Sequence, residues 1–272
     1  MNVILAWRIR EFVKAMVDSN DDVLNISTLV AALFMLVSYH LYLYYCFKYH
    51  RRSTVYGLTS SARRVFIASI MHRKEEILAV QTLRNWVMAA SAFCSTSIII
   101  IFGLVAFLSA IGTRQVTSDP SNPLLLGLLS GPWFIVKVVL LVLLFMTAFF
   151  CFLQAMRFFN HVGILVNINI SEDELKQLDP AAEIAYNTLT PDFVGDLLNR
   201  GAFWYTTGTR CYMVSFPIVA WLGGGYFLLP ATFLLIIVLR LIDFNNNLNS
   251  RSLKEPPASQ IELTNVSAVK TD

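Results

Sequence analysis

Four stretches of the chain run without a charged residue, and their lengths set the first expectation. They are 23–47 between Asp22 and Lys48, 85–113 between Arg84 and Arg114, 138–156 between Lys137 and Arg157, and 211–239 between Arg210 and Arg240. A bilayer core about 30 Å thick needs roughly 20 apolar helical residues. The third stretch gains Trp133, Phe134, Ile135 and Val136 beyond Lys137 and so reaches that length. The fourth extends to about 43 Å at 1.5 Å per residue, too long for one upright span and too short for two. The pattern predicts four transmembrane helices, at approximately 23–47, 86–112, 133–156 and 211–240, the last tilted or broken. The expected fold is all-α: a polytopic membrane protein with four transmembrane helices in a bundle and cytoplasmic amphipathic helices. Residues 1–22 read as an interfacial N-terminal segment, 23–243 as the membrane domain and 244–272 as a disordered tail.

The connections carry patterns of their own. Residues Ile4, Leu5, Trp7, Ile9, Phe12, Val13 and Met16 approximate helical spacing but are interleaved with Arg8, Arg10, Glu11 and Lys14. That mixture fits an interfacial helix rather than a cleavable leader. Ser60 or Ser61 is placed to cap a helix bearing Val65, Phe66, Ile67, Ile70 and Met71, amphipathic enough to lie on an anionic leaflet. Ser171-Glu-Asp-Glu174 has capping-box spacing. Thr190-Pro191 is a further helix start, leading into the apolar stripe Phe193, Val194, Leu197, Leu198 and Phe203. The tail is rich in Asn, Ser and Pro without a sustained period.

Composition narrows the class. Of 272 residues, 56% are hydrophobic and 14% charged, with mean hydropathy +0.59, against about 45–50% and 25% in soluble domains. A soluble enzyme, a nucleic-acid binder and a disordered protein are excluded, and a net charge of +3 is too mild for a nucleic-acid partner. Cys46, Cys94, Cys151 and Cys211 form no CxxC pair and read as buried thiols. The four histidines lack ligand spacing, so no metal site is expected.

Orientation follows from Lys and Arg. Segment 48–84 holds eight of them, 113–132 holds only Arg114, and 157–210 holds four. The first connection is therefore assigned to the cytoplasm and both termini to the other side, although Arg240, Arg251, Lys254 and Lys270 of the tail argue the other way. The plasma membrane is the default location. Asn265-Val-Ser267 is a glycosylation acceptor that this topology places outside the cytoplasm.

Several segments together resemble one membrane family. They are Thr54-Val-Tyr-Gly57, Ser61-Ala-Arg-Arg64, Ile77-Leu-Ala-Val-Gln-Thr-Leu-Arg-Asn85, Arg157-Phe-Phe-Asn-His161, Gly208-Thr-Arg210, Pro217 with Trp221, and Leu241-Ile-Asp243. On these the chain is similar, over roughly 25–245, to the family catalogued as domain of unknown function 599, found in bacteria and plants. The resemblance implies four transmembrane helices and supplies no activity, substrate or catalytic residue. The family tends to have Gly-Pro after the Trp, whereas here Trp221 is followed by Leu222-Gly-Gly-Gly225.

Three groups of residues are candidates for function. Near the cytoplasmic face, Arg84, Arg157 and Arg210 come from three helix ends, with Gln81, Asn85, Asn160, His161 and His40 at comparable depth. Three arginines suit a phosphate or carboxylate, so an anionic lipid or a phosphorylated ligand is the expected partner; the alternative is a basic belt facing ordinary lipid. His40 beside Tyr39 and Tyr44 reads as a helix-contact histidine. Lys137 and Asp243, both expected at the outer edge, are candidates for an ion pair pinning the third and fourth spans, with snorkelling to water as the simpler reading of Lys137. Pro217, Trp221, Gly223, Gly224, Gly225 and Pro230 mark a broken-helix region, with Trp221 about 16 Å beyond Arg210 and near the midplane; glycines also serve close packing.

No HExxH, GxSxG, P-loop or dinucleotide fingerprint is present in the sequence. No catalytic residue and no cofactor are expected, and the chain is read as not an enzyme. The favoured reading is a non-catalytic protein that assembles with itself or with a partner membrane protein and binds an anionic lipid or ligand, without nucleic acid. The alternative is an oligomeric small transporter or channel subunit using a broken fourth helix.

Overall fold

The computed structural model describes residues 2–50, 53–73, 76–117, 132–168, 186 and 189–244. The readings made for 113–132, Ser171–Glu174 and the tail fall wholly or largely outside them. The elements are α1 (Asn2–Tyr49), α2 (Val55–Arg73), α3 (Glu76–Thr117), α4 (Pro132–Val166), α5 (Pro191–Leu222), a 3-10 turn (Gly225–Phe227) and α6 (Leu228–Asp243). The architecture is all-α. Four stretches are long and apolar enough to cross a membrane: Asp22–Tyr49, Ile77–Ala110, Trp133–Val166 and Gly225–Asp243. Large apolar side chains such as Val30, Phe34, Leu41, Phe102 and Phe150 point outward, as a surface solvated by lipid tails requires. No helix break separates the stretch 2–17 from the first span, because α1 is continuous.

The last quarter of the domain departs from expectation. The window 211–240 is broken, one of its two expected forms, but as a reversal between two helices rather than a bend within one span. Gly223 closes α5, and Gly224 takes φ +145°, ψ 155°, a region essentially restricted to glycine. The chain therefore reverses, and α6 returns antiparallel to α5, so that Asp243 meets Arg210. The return ends where Phe244 bridges Thr54, beside α2. The chain thus leaves the bundle on the side of the basic connection 48–84, not on the opposite side as four alternating spans predict. The sequence marks the start of α5 at Thr190-Pro191 but sets the border of the span at Arg210, whereas Arg210 lies inside that helix and carries its counter-ion with it.

Packing explains the order of the helices. α3, α4 and α5 form the centre, with α6 against α5 and α1 against α6. At the basic end, Ile67 and Ile70 of α2 close onto Leu83, Phe159, Val194 and Leu198. The helix start at Thr190-Pro191 is as read: the Thr190 hydroxyl accepts from the Phe193 N–H. α2 starts earlier than expected. Thr54, rather than Ser60 or Ser61, accepts from the Gly57 N–H at 3.3 Å.

α4 and α5 approach closely through glycines that the sequence reading did not single out. A Cβ on Gly201 would stand 2.7 Å from the Phe159 ring, and one on Gly208 would stand 2.8 Å from that of Phe152. Both rings are fully buried, so neither can swing aside cheaply. Gly201→Ala is expected to lower stability by about 1–3 kcal/mol, the usual range for overpacking. Thermal unfolding in detergent measures it, and an unchanged midpoint contradicts the close approach.

Candidate functional site

Asp243 is the terminal residue of α6, and its two carboxylate oxygens accept from Arg210 Nη2 at 2.7 and 2.9 Å. The Tyr39 hydroxyl of α1 donates to the same carboxylate at 2.6 Å. Three helices are therefore tied at one point. The side chains of Arg210 and Asp243 are only 19% and 12% exposed. His40 completes the group: its Nδ1 is 2.8 Å from the Leu36 carbonyl and its Nε2 is 3.3 Å from Arg210 Nη1. A carbonyl can only accept, so Nδ1 carries the hydrogen and Nε2 accepts from the guanidinium.

The other end of the hairpin has its own joint. Trp221 is fully buried. Its indole N–H donates to Asn25 Oδ1 at 2.9 Å, and its carbonyl accepts from Lys137 Nζ at 2.9 Å. The ammonium also stands 4.8 Å from the indole centroid, a cation–π geometry. Lys137 is 7% exposed; it neither snorkels to water nor pairs with Asp243. That expected ion pair fails because the reversal at Gly224 carries Asp243 to the opposite end of the bundle. Trp221 likewise lies at the end of α5, beside Trp133, and not at the midplane. Pro217 is buried within an unbroken α5, Pro230 sits in the first turn of α6, and Gly225 packs against Leu24 and Asn25. Transporter sites built on interrupted helices open near the midplane; this interruption caps the bundle instead.

The expected three-arginine cluster is not assembled by side-chain contacts. Gln81, Arg84 and Asn85 on α3 and Arg157, Asn160 and His161 on α4 are exposed. Among the described residues, no hydrogen bond or ion pair joins any of them to Arg210 or His40. Arg210 faces Asp243 instead. Of the anticipated set, only His40 and Arg210 meet.

What these two residues border is a cavity of about 460 Å³ between α1 and α5, within the range of small-molecule sites. Leu43 and Phe47 of α1, Leu144 of α4, and Phe203 and Val214 of α5 supply apolar wall, and Thr206 and Thr207 add hydroxyls. Both hydroxyls are spent on their own helix, donating to the carbonyls of Ala202 and Phe203. Since Arg210 is already paired, the chamber presents an apolar interior with a neutralised polar edge. A second cleft, of about 270 Å³, lies between α2 and α5 and shares Tyr56 and Phe203 with the first. Its lining is polar and includes Ser60, Asn199 and Arg200. Asn25 and Asn199 are not marked by the sequence, and Tyr39 enters there only as a neighbour of His40, not as a partner of Asp243. Their only sequence signal is a polar group at the edge of an apolar run, which many surface residues share.

Four helices long and apolar enough to cross a membrane, with a paired arginine and two chambers at one end of the bundle, define a multi-pass α-helical membrane protein. The profile of the family described as Protein of unknown function, DUF599, matches residues 27–248; the chain belongs to that family. Comparison with curated proteins and with solved structures returned no match.

Proposed function

We propose that this is a non-catalytic membrane protein that holds the apolar tail of an amphiphilic molecule, a membrane lipid by its chemistry, between α1 and α5. The observation that carries the reading is the 460 Å³ cavity with an apolar wall and a polar edge at His40 and Arg210. Coming from the bilayer, an acyl chain is held there by van der Waals contact with the wall rather than by transfer out of water, and the Arg210–Asp243 pair leaves no net charge to repel it. The positive-inside rule assigns the side of segment 48–84, and with it the cavity, to the cytoplasm.

The test uses native mass spectrometry in mild detergent. The wild-type chain is expected to retain a lipid adduct. Thr207→Trp, which places an indole in the cavity from a half-buried position on α5, is expected to lose it while remaining folded. Equal retention by the two proteins contradicts the reading.

A further inference from the structure

Most polar groups on the wall of the apolar cavity are already bonded. Arg210 donates to Asp243 and to His40, the His40 ring donates to the Leu36 carbonyl, and the Thr206 and Thr207 hydroxyls donate within α5. Thr54 is fully buried and accepts from the Gly57 N–H. Tyr56 of α2 is different. Its hydroxyl makes no hydrogen bond among the described residues, yet the side chain is only half-buried and the oxygen is not sealed from its surroundings. Tyr56 also lines both chambers, the apolar cavity and the polar cleft, a position it shares with Phe203. Tyr44, the other phenol on the cavity wall, is exposed.

The Tyr56 ring is held from two sides. Phe47 of α1 meets it edge-on at 5.3 Å between centroids, and the Arg63 guanidinium stands 5.7 Å from its centre. Arg63 is itself fixed: its Nε donates to Asn199 Oδ1 at 2.8 Å, and Asn199 donates to the Ser60 carbonyl at 3.3 Å, locking α2 to α5. Gly195 lets the two helices touch, since a Cβ there would lie 3.1 Å from Arg64 Cγ. Arg64 pairs with Asp196 across to α5, whereas no described carboxylate pairs with Arg63. A cation this close favours the phenol as a donor, because donation puts negative charge on the phenolic oxygen and acceptance takes it away. Burial raises the pKa of the hydroxyl above the usual tyrosine value, and Arg63 opposes that shift. The hydroxyl therefore has its proton to share at neutral pH.

We propose that Tyr56 donates a hydrogen bond to an acyl carbonyl oxygen of the bound lipid and so fixes the boundary between its head and its tail. In a glycerolipid the ester carbonyl stands where the apolar chain meets the polar head. Tyr56 stands where the apolar cavity meets the polar cleft. The tail then lies beside Phe47 and Leu144, and the head turns toward Ser60 and Asn199. The lodging of the tail rests on the reading given above; the hydrogen bond at Tyr56 is tested apart from it.

The experiment offers the purified full chain, in neutral detergent, three probes: phosphatidylcholine with ester-linked tails, its ether-linked analogue with tails of the same length, and a free fatty acid of that length. Retention is read by native mass spectrometry. Wild type is expected to favour the ester over the ether about fivefold, the scale of one net hydrogen bond. Tyr56→Phe keeps the ring against Phe47 and Arg63 and removes only the hydroxyl. It is expected to bring ester and ether within about twofold while retaining the ether lipid as wild type does, and a thermal midpoint close to that of wild type shows it folded. A preference that survives Tyr56→Phe overturns the proposal. Equal retention of ester and ether lipid by wild type, both lost in Thr207→Trp, overturns it too and leaves the tail reading standing. An ester preference removed by Tyr56→Phe but untouched by Thr207→Trp keeps the carbonyl contact and removes the tail reading. If the fatty acid binds as tightly as the ester lipid and Tyr56→Phe weakens both alike, the contact stands and its source is a free fatty acid. Retention of none of the probes contradicts both readings.

Discussion

Asp243→Asn is expected to destabilise the protein by about 3–5 kcal/mol, the scale for removing one partner of a largely buried ion pair. The amide is nearly isosteric with the carboxylate and still accepts from the Tyr39 hydroxyl, so the loss isolates the charge. Arg210 is left facing His40, which accepts only one of its N–H groups. Arg210→Gln is expected to cost a similar amount for the converse reason. The double variant Arg210→Gln/Asp243→Asn should be more stable than either single variant, because no unpaired charge remains. Thermal unfolding read by a thiol-reactive dye suits this measurement, since Cys46, Cys94 and Cys151 are buried in the folded protein. Additive effects of the two substitutions would show that the groups do not interact.

Trp221→Ala is expected to cost about 3–5 kcal/mol, the range for deleting a fully buried large aromatic. The side chain packs with Ala32, Leu141, Phe145, Ile218 and Leu228, so its removal opens a cavity shared by α1, α4, α5 and α6. Trp221→Phe keeps most of that contact and removes the N–H bonded to Asn25. Its cost should fall to about 1 kcal/mol plus the lost ring area. The same unfolding assay orders the variants as wild type, Phe, then Ala. If Trp221→Ala proves as stable as wild type, Trp221 is not the joint at this end of the hairpin.

Much of the fold was legible because burial in lipid leaves a strong trace. Helices that cross a bilayer must be long and apolar, and three of the four windows lie within the longer helices α1, α3 and α4. The fourth window misled for a physical reason. A charge was taken to end a span, yet Arg210 enters α5 because Asp243, far along the chain, neutralises it. Glycine between Trp221 and Tyr226 offered two uses, close packing and reversal. Only the backbone at Gly224, with its positive φ, selects reversal. The basic residues of the tail, at odds with the predicted orientation, agree with the observed path of α6 back to Thr54.

The candidate site was less legible. Arg84 and Arg157 stand out at the ends of apolar runs yet are exposed, whereas Arg63 sits in an Arg-Arg pair of an amphipathic helix. What separates Arg63 from Arg64 is a one-residue step of about 100° around the helix. That step turns one guanidinium toward Asn199 and leaves the other in the open beside Asp196. Burial of that kind depends on how α2 docks against α5, through Gly195, and no local pattern encodes it.

Photo-crosslinking tests the central claim most directly. The full chain, reconstituted in nanodiscs with a phospholipid bearing a diazirine near the end of its acyl chain, would be irradiated, and the labelled positions located by mass spectrometry. The account predicts labels on the cavity wall at Phe47, Leu144 and Val214, lost in Thr207→Trp. Labelling confined to outward-facing positions such as Phe34, Phe102 and Phe216, unchanged by that substitution, would contradict it.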